Sequence, residues 1–220
     1  MPNQSVNRME IAEVLKRGIT EMGLPDASEF QEKLLDYLTL LAKWNKVYNL
    51  TAIRDPKLMV IHHLLDSLAV LPHVYAKSWL DVGCGAGLPG LVLAIVKPDC
   101  QFTLLDSNTK KTSFVQQSII ELGLKNAHVY SARVEEFKPK EKFDGIISRA
   151  FTELGEFLTV TRHLITSDGH WYAMKGLPEQ ELLGVPDYCK VETVVSLNVP
   201  GLAAARSLVI ATPVESRLND

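Results

Sequence analysis

The chain has 220 residues, enough for one large domain with a buried core, or a core plus a small appendage. Its 46% hydrophobic and 22% charged residues are ordinary for a globular protein, and no apolar run is long enough to read as a membrane-spanning helix. The net charge of −3 argues against a bulk nucleic-acid binder but leaves room for a local basic patch, and three widely spaced cysteines (Cys84, Cys100, Cys189) fit a reducing, cytoplasmic setting with neither a disulfide framework nor a zinc spacing.

Residues 6–70 read as helical. Ile11, Val14, Leu15, Ile19 and Met22 recur on one helical face, and Gly23 ends that run. A second stripe follows in Phe30, Leu34, Leu35, Leu38, Leu41 and Trp44, with Ser28 and Gln31 spaced as a capping box. Asp55 and Pro56 have the cap-then-first-turn order that opens a third helix. Trp44 and Tyr48, at helical spacing, read as core packing rather than as a stacking platform. His62 and His63 have no second pair of ligands to complete a metal site, so no metal is expected.

At residue 78 the pattern changes to short apolar runs alternating with helical segments. Strands are predicted at 79–82, 101–106, 127–132, 143–150 and 169–176, with helices at about 88–96, 109–123, 153–165 and, weakly, 178–184. Two closing strands, 190–197 and 205–212, have nothing helical between them and should pair as a hairpin. The result is an α/β, Rossmann-like fold: a seven-stranded, mostly parallel sheet with an antiparallel last strand and an N-terminal helical extension. A helical region at 1–76 should pack on a catalytic domain at 77–220, the two forming effectively one globular unit.

In such sheets ligands bind beyond the carboxyl ends of the strands, where the strand order reverses. The stretch LDVGCGAGLPG (80–90) lies there, with Asp81 just ahead of Gly83, Gly85 and Gly87. A dinucleotide fingerprint spaces its glycines G-x-G-x-x-G, and here the third comes one residue early. Asp106 ends the next strand at a distance suited to a ribose diol with either a dinucleotide or S-adenosylmethionine. Asp81, read as sitting at the loop's lip, would repel a pyrophosphate and suit a cationic donor. That favours S-adenosylmethionine, whose amino-acid end the glycine backbone can approach closely.

Methyl transfer leaves few further marks. The Asn/Asp-Pro-Pro-aromatic motif of exocyclic-amine methylation is absent, since the fourth strand ends in ISRAF (147–151), and none of the cysteines is well placed as a nucleophile. An acceptor with a free lone pair, such as a purine ring nitrogen, needs neither device.

The chain also resembles the glucose-inhibited division protein B (RsmG) family over nearly its whole length. The resemblance rests on KWNKVYNLTAIRDP (43–56), HHLLDSL (62–68), LDVGCGAGLPGLVLAI (80–95), TLLDSNTKK (103–111), RVEEF (133–137), FDGIISRAF (143–151), YAMKG (172–176) and VPGLAAARSLVI (199–210). It implies a class I methyltransferase that places a methyl group on N7 of guanine 527, in the 530 loop of 16S ribosomal RNA, leaving S-adenosylhomocysteine. It implies a cofactor site at matching positions: Gly83 and Leu88 on the methionine and ribose side, Asp106 at the ribose, Val134 and Glu135 beside the adenine, and Arg149 facing the cofactor pocket. Arg149 or Lys175 is the candidate to hydrogen-bond the guanine.

Naked rRNA or a 30S particle is the expected partner, with no membrane, and the protein is expected to be a monomer. RNA contacts are sought at Lys110, Lys111, Arg133, Arg149, Lys175 and Arg206 around the pocket. Lys46, Asn49, Arg54 and Lys57 are further candidates in the helical part. Three rivals stay open: a methyltransferase with another RNA, protein or small-molecule acceptor, a nicotinamide-dependent oxidoreductase, and a non-enzymatic RNA-binding module.

Overall fold

A computed structural model describes residues 4–24 and 28–214 of the chain. Two long helices come first, α1 (Gln4–Glu21) and α2 (Ser28–Tyr48). Gly23 takes φ +63° and lets the Leu24 N–H donate back to the Ile19 carbonyl, closing α1. The predicted stripe of α2 is buried at Leu34, Leu35, Leu38 and Leu41, and Tyr37 joins it. The Ser28 side chain, expected to cap this helix, lies outside the described residues. Trp44 packs on the ring of Phe114 with centroids 5.7 Å apart, while Tyr48 lies half exposed against Trp44.

The third helix, α3 (56–68), starts as predicted: one Asp55 carboxylate oxygen accepts from the Lys57 and Leu58 N–H groups. Its middle, Val60–Leu65, is wound as a π-helix before α geometry returns at Asp66–Leu68. Such widened turns re-aim side chains and often mark functional sites.

The remainder is one seven-stranded sheet in the order β3-β2-β1-β4-β5-β7-β6. Its strands are β1 (Ser78–Val82), β2 (Gln101–Asp106), β3 (Ala127–Ser131), β4 (Phe143–Arg149), β5 (Ile165–Lys175), β6 (Cys189–Ser196) and β7 (Ser207–Pro213). Strands β1 to β5 pair in parallel, and β7 runs antiparallel between β5 and β6, as the closing hairpin required. Helices α4 (Gly90–Val96), α5 (Thr109–Glu121) and α6 (Leu154–Thr161) fill the crossovers.

Several boundaries differ from the reading of the sequence. Helix α4 begins after Pro89 rather than before it, because the chain is still turning at 83–89. Strand β5 begins four residues early, at Ile165: a register shift between Phe143 and Gly145 of β4 accommodates TSDG (166–169), which looks like a turn in isolation. The helix expected at 178–184 is one 3-10 turn, Glu181–Gly184.

Each sheet face has its own apolar cluster. One joins α1, α2 and α3 to α4, α5 and residues such as Trp79, Phe102 and Tyr172; the other gathers Phe157, Leu158, Leu164 and Trp171 around α6. Side chains alternate along a strand, so β1 sends Trp79 and Asp81 to the first face and Leu80 and Val82 to the second. No helix among the described residues is long and apolar enough to cross a membrane.

One buried amide ties down the turn after α4. The Asn126 side-chain nitrogen donates to the carbonyls of Ala94, Lys97 and Cys100 at 3.0, 3.1 and 3.0 Å. Asn126→Ala strips these carbonyls of a partner, and urea unfolding should show a loss of about 1–3 kcal/mol with no effect on ligand binding at the opposite end of the sheet.

Candidate active site

Strand β1 leads to β2 on one side while its other neighbour, β4, leads away to β5, so the loops leaving β1 and β4 diverge and open a crevice of about 310 Å³ at the carboxyl end of the sheet. Val82 and Gly83 form its floor, with Asp106 and Ser107 from the end of β2. Val134 and Glu135, in the 3-10 turn after β3, make one wall, and Ala150 and Phe151 after β4 make the other.

The glycine loop is shaped by backbone bonds. The N–H groups of Gly83 and Cys84 both donate to the Leu105 carbonyl, which carries β1 pairing into the loop. Gly83 and Gly85 then take φ +67° and +57°, a conformation costly to residues with a Cβ. A Cβ on Gly83 would also lie 2.5 Å from the Phe151 ring. Asp106 holds the loop from the side: Oδ2 accepts from the Gly85 N–H at 2.9 Å and Oδ1 from the Asn108 N–H at 2.8 Å. From behind, the buried Tyr37 hydroxyl of α2 donates to the Ala86 carbonyl at 2.8 Å.

Asp81 is not where the sequence suggested. It is fully buried beneath the loop rather than at its lip, because strand alternation turns it toward α4. Its Oδ2 accepts from the Gly90 N–H at 2.7 Å, while Oδ1 has no partner. Burial raises its pKa to about 7. The electrostatic argument for a cationic ligand therefore cannot rest on Asp81 at the mouth; the carboxylates lining the crevice are Asp106 and Glu135.

Gly83, Asp106, Val134 and Glu135 thus line the crevice together, joined by the cations Lys111 and Arg133. Gly85 and Gly87 shape the loop without lining that crevice, and Leu88 packs into the core beneath it. Arg149 does not face the crevice either. Its guanidinium points the other way, donating to the His62 carbonyl at 2.8 Å and to Asp66 Oδ2 at 3.0 Å. The cause is local: Ala150, at φ +53°, turns the chain sharply after β4 and sends the residues on its two sides into different spaces.

Arg149 instead belongs to a second cavity of about 410 Å³, which also holds Lys175 and Arg206 and shares Ala150 with the crevice. Lys175 Nζ donates to the Thr152 carbonyl at 2.6 Å and pairs with Glu181 at 2.5 Å. The other RNA candidates are scattered. Lys110 is exposed on α5, Lys57 pairs with Glu10, Arg54 donates to Asn49, and Lys46 lines a groove between α1 and α2.

Phe151, Tyr37 and Asp66 were not singled out from the sequence. Phe151 follows a strand end within a quoted motif, which is a usable signal. Tyr37 and Asp66 sit among apolar helical residues, and only tertiary contact shows what they bind. All three cysteines are buried, and burial holds the Cys84 thiol well above its usual range, so it offers no thiolate nucleophile. Among the described residues no group of His, Cys, Asp and Glu gathers to hold a metal ion.

Asp81 makes a pH-dependent contribution whose sign is set by its raised folded pKa. The fold favours the neutral carboxyl, so the stabilisation is complete below the unfolded value near 4 and is lost as pH rises through about 7. Carboxyl NMR should give a midpoint near 7 for Asp81. Relative to Asp81→Asn, the melting temperature of the wild type should fall between pH 5 and pH 8 and then level off.

Residues 30–209 match the GidB family, described as rRNA small subunit methyltransferase G. The chain is 56% identical over 195 residues to the ribosomal RNA small subunit methyltransferase G of Methylobacillus flagellatus, covering 89% of this chain and 95% of that one. It is 51% identical over 204 residues to the protein of the same name from Neisseria meningitidis, covering 92% and 98%. Among solved structures, the fold resembles the N-methyltransferase NodS of Bradyrhizobium japonicum in complex with S-adenosyl-L-homocysteine, with a TM-score of 0.55 at 13% identity over 81% of this chain and 98% of that one. TrmN from Thermus thermophilus superposes with the same TM-score at 17% identity, over 69% of this chain and 48% of that one. The chain belongs to the GidB family and is an S-adenosylmethionine-dependent methyltransferase of small-subunit ribosomal RNA.

Proposed function

We propose that the enzyme methylates N7 of a guanine in 16S rRNA, the family's position 527 in the 530 loop. The family match over residues 30–209 carries this reading, and the crevice at the strand-order reversal, with Asp106 on its floor and Glu135 on its wall, supplies the place for the methyl donor. The carboxylates of Asp106 and Glu135 are acceptors suited to hydroxyl and amino groups of a bound nucleoside. When bound, S-adenosylmethionine supplies a sulfonium-activated methyl group, which passes to the N7 lone pair while the carbon–sulfur electrons stay on sulfur.

Guanine N7 carries no proton, so the chain needs no general base at this step. Its task is to align donor and acceptor and to keep water out. The loop stitched by Asp106, Leu105 and Tyr37 supplies the rigidity for that. Asp106 has lone pairs beyond the two that accept from Gly85 and Asn108, and these serve the ribose hydroxyls. Val134 and Glu135 offer a backbone amide and a carboxylate for the adenine edge. Lys111 and Arg133 at the crevice, and exposed Lys110, are the cations we assign to RNA phosphates.

Purified 16S rRNA and 30S particles incubated with methyl-labelled donor should both be compared, with the modified nucleotide mapped by chemical cleavage at 7-methylguanine. One labelled guanine in the 530 loop is expected; label in protein, in small molecules or at another ring atom would overturn the assignment. Asp106→Ala should weaken S-adenosylhomocysteine at least about tenfold by calorimetry, and unchanged affinity would remove the ribose role.

A further inference from the structure

The second cavity adjoins the crevice, and the two share Ala150 in their linings. Its contents differ in kind. Met174 and Ile53 provide apolar wall, and Arg149, Lys175 and Arg206 provide donors. Asp66, 2% exposed, joins two of these donors: Oδ2 accepts from Arg149 at 3.0 Å and Oδ1 accepts from Arg206 Nε at 3.1 Å. One carboxylate from α3 thus holds arginines from the end of β4 and the start of β7. The arginines are not sealed in, since their side chains keep 20% and 27% of their exposure.

The neighbouring loop is built to the same place. Asn45 accepts from the Thr51 N–H at 2.9 Å and donates to the Ile53 carbonyl at 3.3 Å. Thr51 Oγ1 meets His63 Nε2 at 2.9 Å, fixing Ile53 at the cavity wall.

We propose that this cavity receives the acceptor guanine once it leaves its stack, and that Asp66 is the positioning residue that holds Arg149 and Arg206 at its wall. The inference rests on the guanine-N7 reading above. A purine presents flat apolar faces and a carbonyl oxygen beside N7, which match the mixed wall and the arginine donors. Charge favours the same assignment. Arg149, Arg206 and Lys175 are three cations, and Asp66 and Glu181 offset two of them. The near-neutral wall keeps its hydrogen-bond donors without strongly opposing a ring that becomes cationic on methylation. Without Asp66, two unbalanced guanidiniums would repel each other and the product.

Single-turnover methylation of 16S rRNA or 30S particles tests this with two variants. Asp66→Asn should lower the methylation rate constant about 10²-fold, leave S-adenosylhomocysteine affinity within about twofold, and leave RNA binding equal or tighter because a negative charge is gone. Asp66→Glu, which restores the carboxylate, should recover part of the rate. Gly176→Leu tests the pocket without touching Asp66. Gly176 lines the cavity, and a Cβ there would meet only the Ala205 carbonyl oxygen, at 3.9 Å, so the fold should accept it. That variant should also lose most methylation with cofactor affinity intact. If both variants methylate at the wild-type rate, or if their cofactor affinity falls in step with rate, the pocket is wrong. If the wild type itself labels no rRNA guanine, the reading of function fails first and the pocket with it.

Discussion

The parallel pairing of β1 with both β2 and β4 is the constraint on which everything else depends. The connections leaving β1 and the neighbouring β4 run to opposite sides, toward β2 and β5, and cannot fill the space between them, and that space is the crevice. The pairing also places functional groups. It carries the Leu105 carbonyl to the Gly83 and Cys84 N–H groups, and it brings Asp106 within reach of Gly85. It further sets the alternation that buries Asp81 and exposes the backbone of Gly83. The glycine loop is therefore an extension of the sheet, held by hydrogen bonds continuous with the sheet's own.

The N-terminal helices belong to the site rather than to a scaffold beside it. Tyr37 of α2 reaches the Ala86 carbonyl, and Asp66 and the His62 carbonyl of α3 receive Arg149. The π-helical stretch of α3 ends at Asp66, whose N–H donates to the carbonyls of His63 and Ile61. His63 is buried, and burial first, then Arg149, lowers its pKa to about 4, so it stays neutral beside the arginine. One apolar cluster runs from Leu15 through Leu41 and Leu64 to Trp79 and Leu91.

Charge is handled in the same way throughout. A chain of net charge −3 meets a polyanionic partner by grouping cations locally and balancing them with carboxylates from other elements. Asp66 serves Arg149 and Arg206, and Glu181 serves Lys175 while also accepting the Leu154 N–H at the start of α6. Methyl transfer from a sulfonium to a neutral ring nitrogen moves one positive charge and creates none. A site for it needs donors that orient without a large excess of positive potential.

Much of this was legible in the residues. Helical stripes, the Asp55 cap, the strand-helix alternation and the closing hairpin all follow from local periodicity, and the glycine loop and Asp106 locate the crevice because strand ends converge there. The resemblance carried by RVEEF and TLLDSNTKK points to Glu135 for the adenine and Asp106 for the ribose, and both line the crevice. What was misplaced depended on direction. Asp81 looked like a lip residue because sequence gives its position but not the face its side chain takes. Arg149 looked like a cofactor contact because nothing local shows that Ala150 turns the chain between them. Periodicity and spacing are properties of neighbours along the chain, so the sequence alone determined most of the elements, their order and the end of the sheet where the crevice opens. Partners such as Tyr37 with Ala86, or Asp66 with Arg206 at a separation of 140 residues, are decided only when packing closes the distance, and packing also decided which carboxylates line the crevice and which face the core.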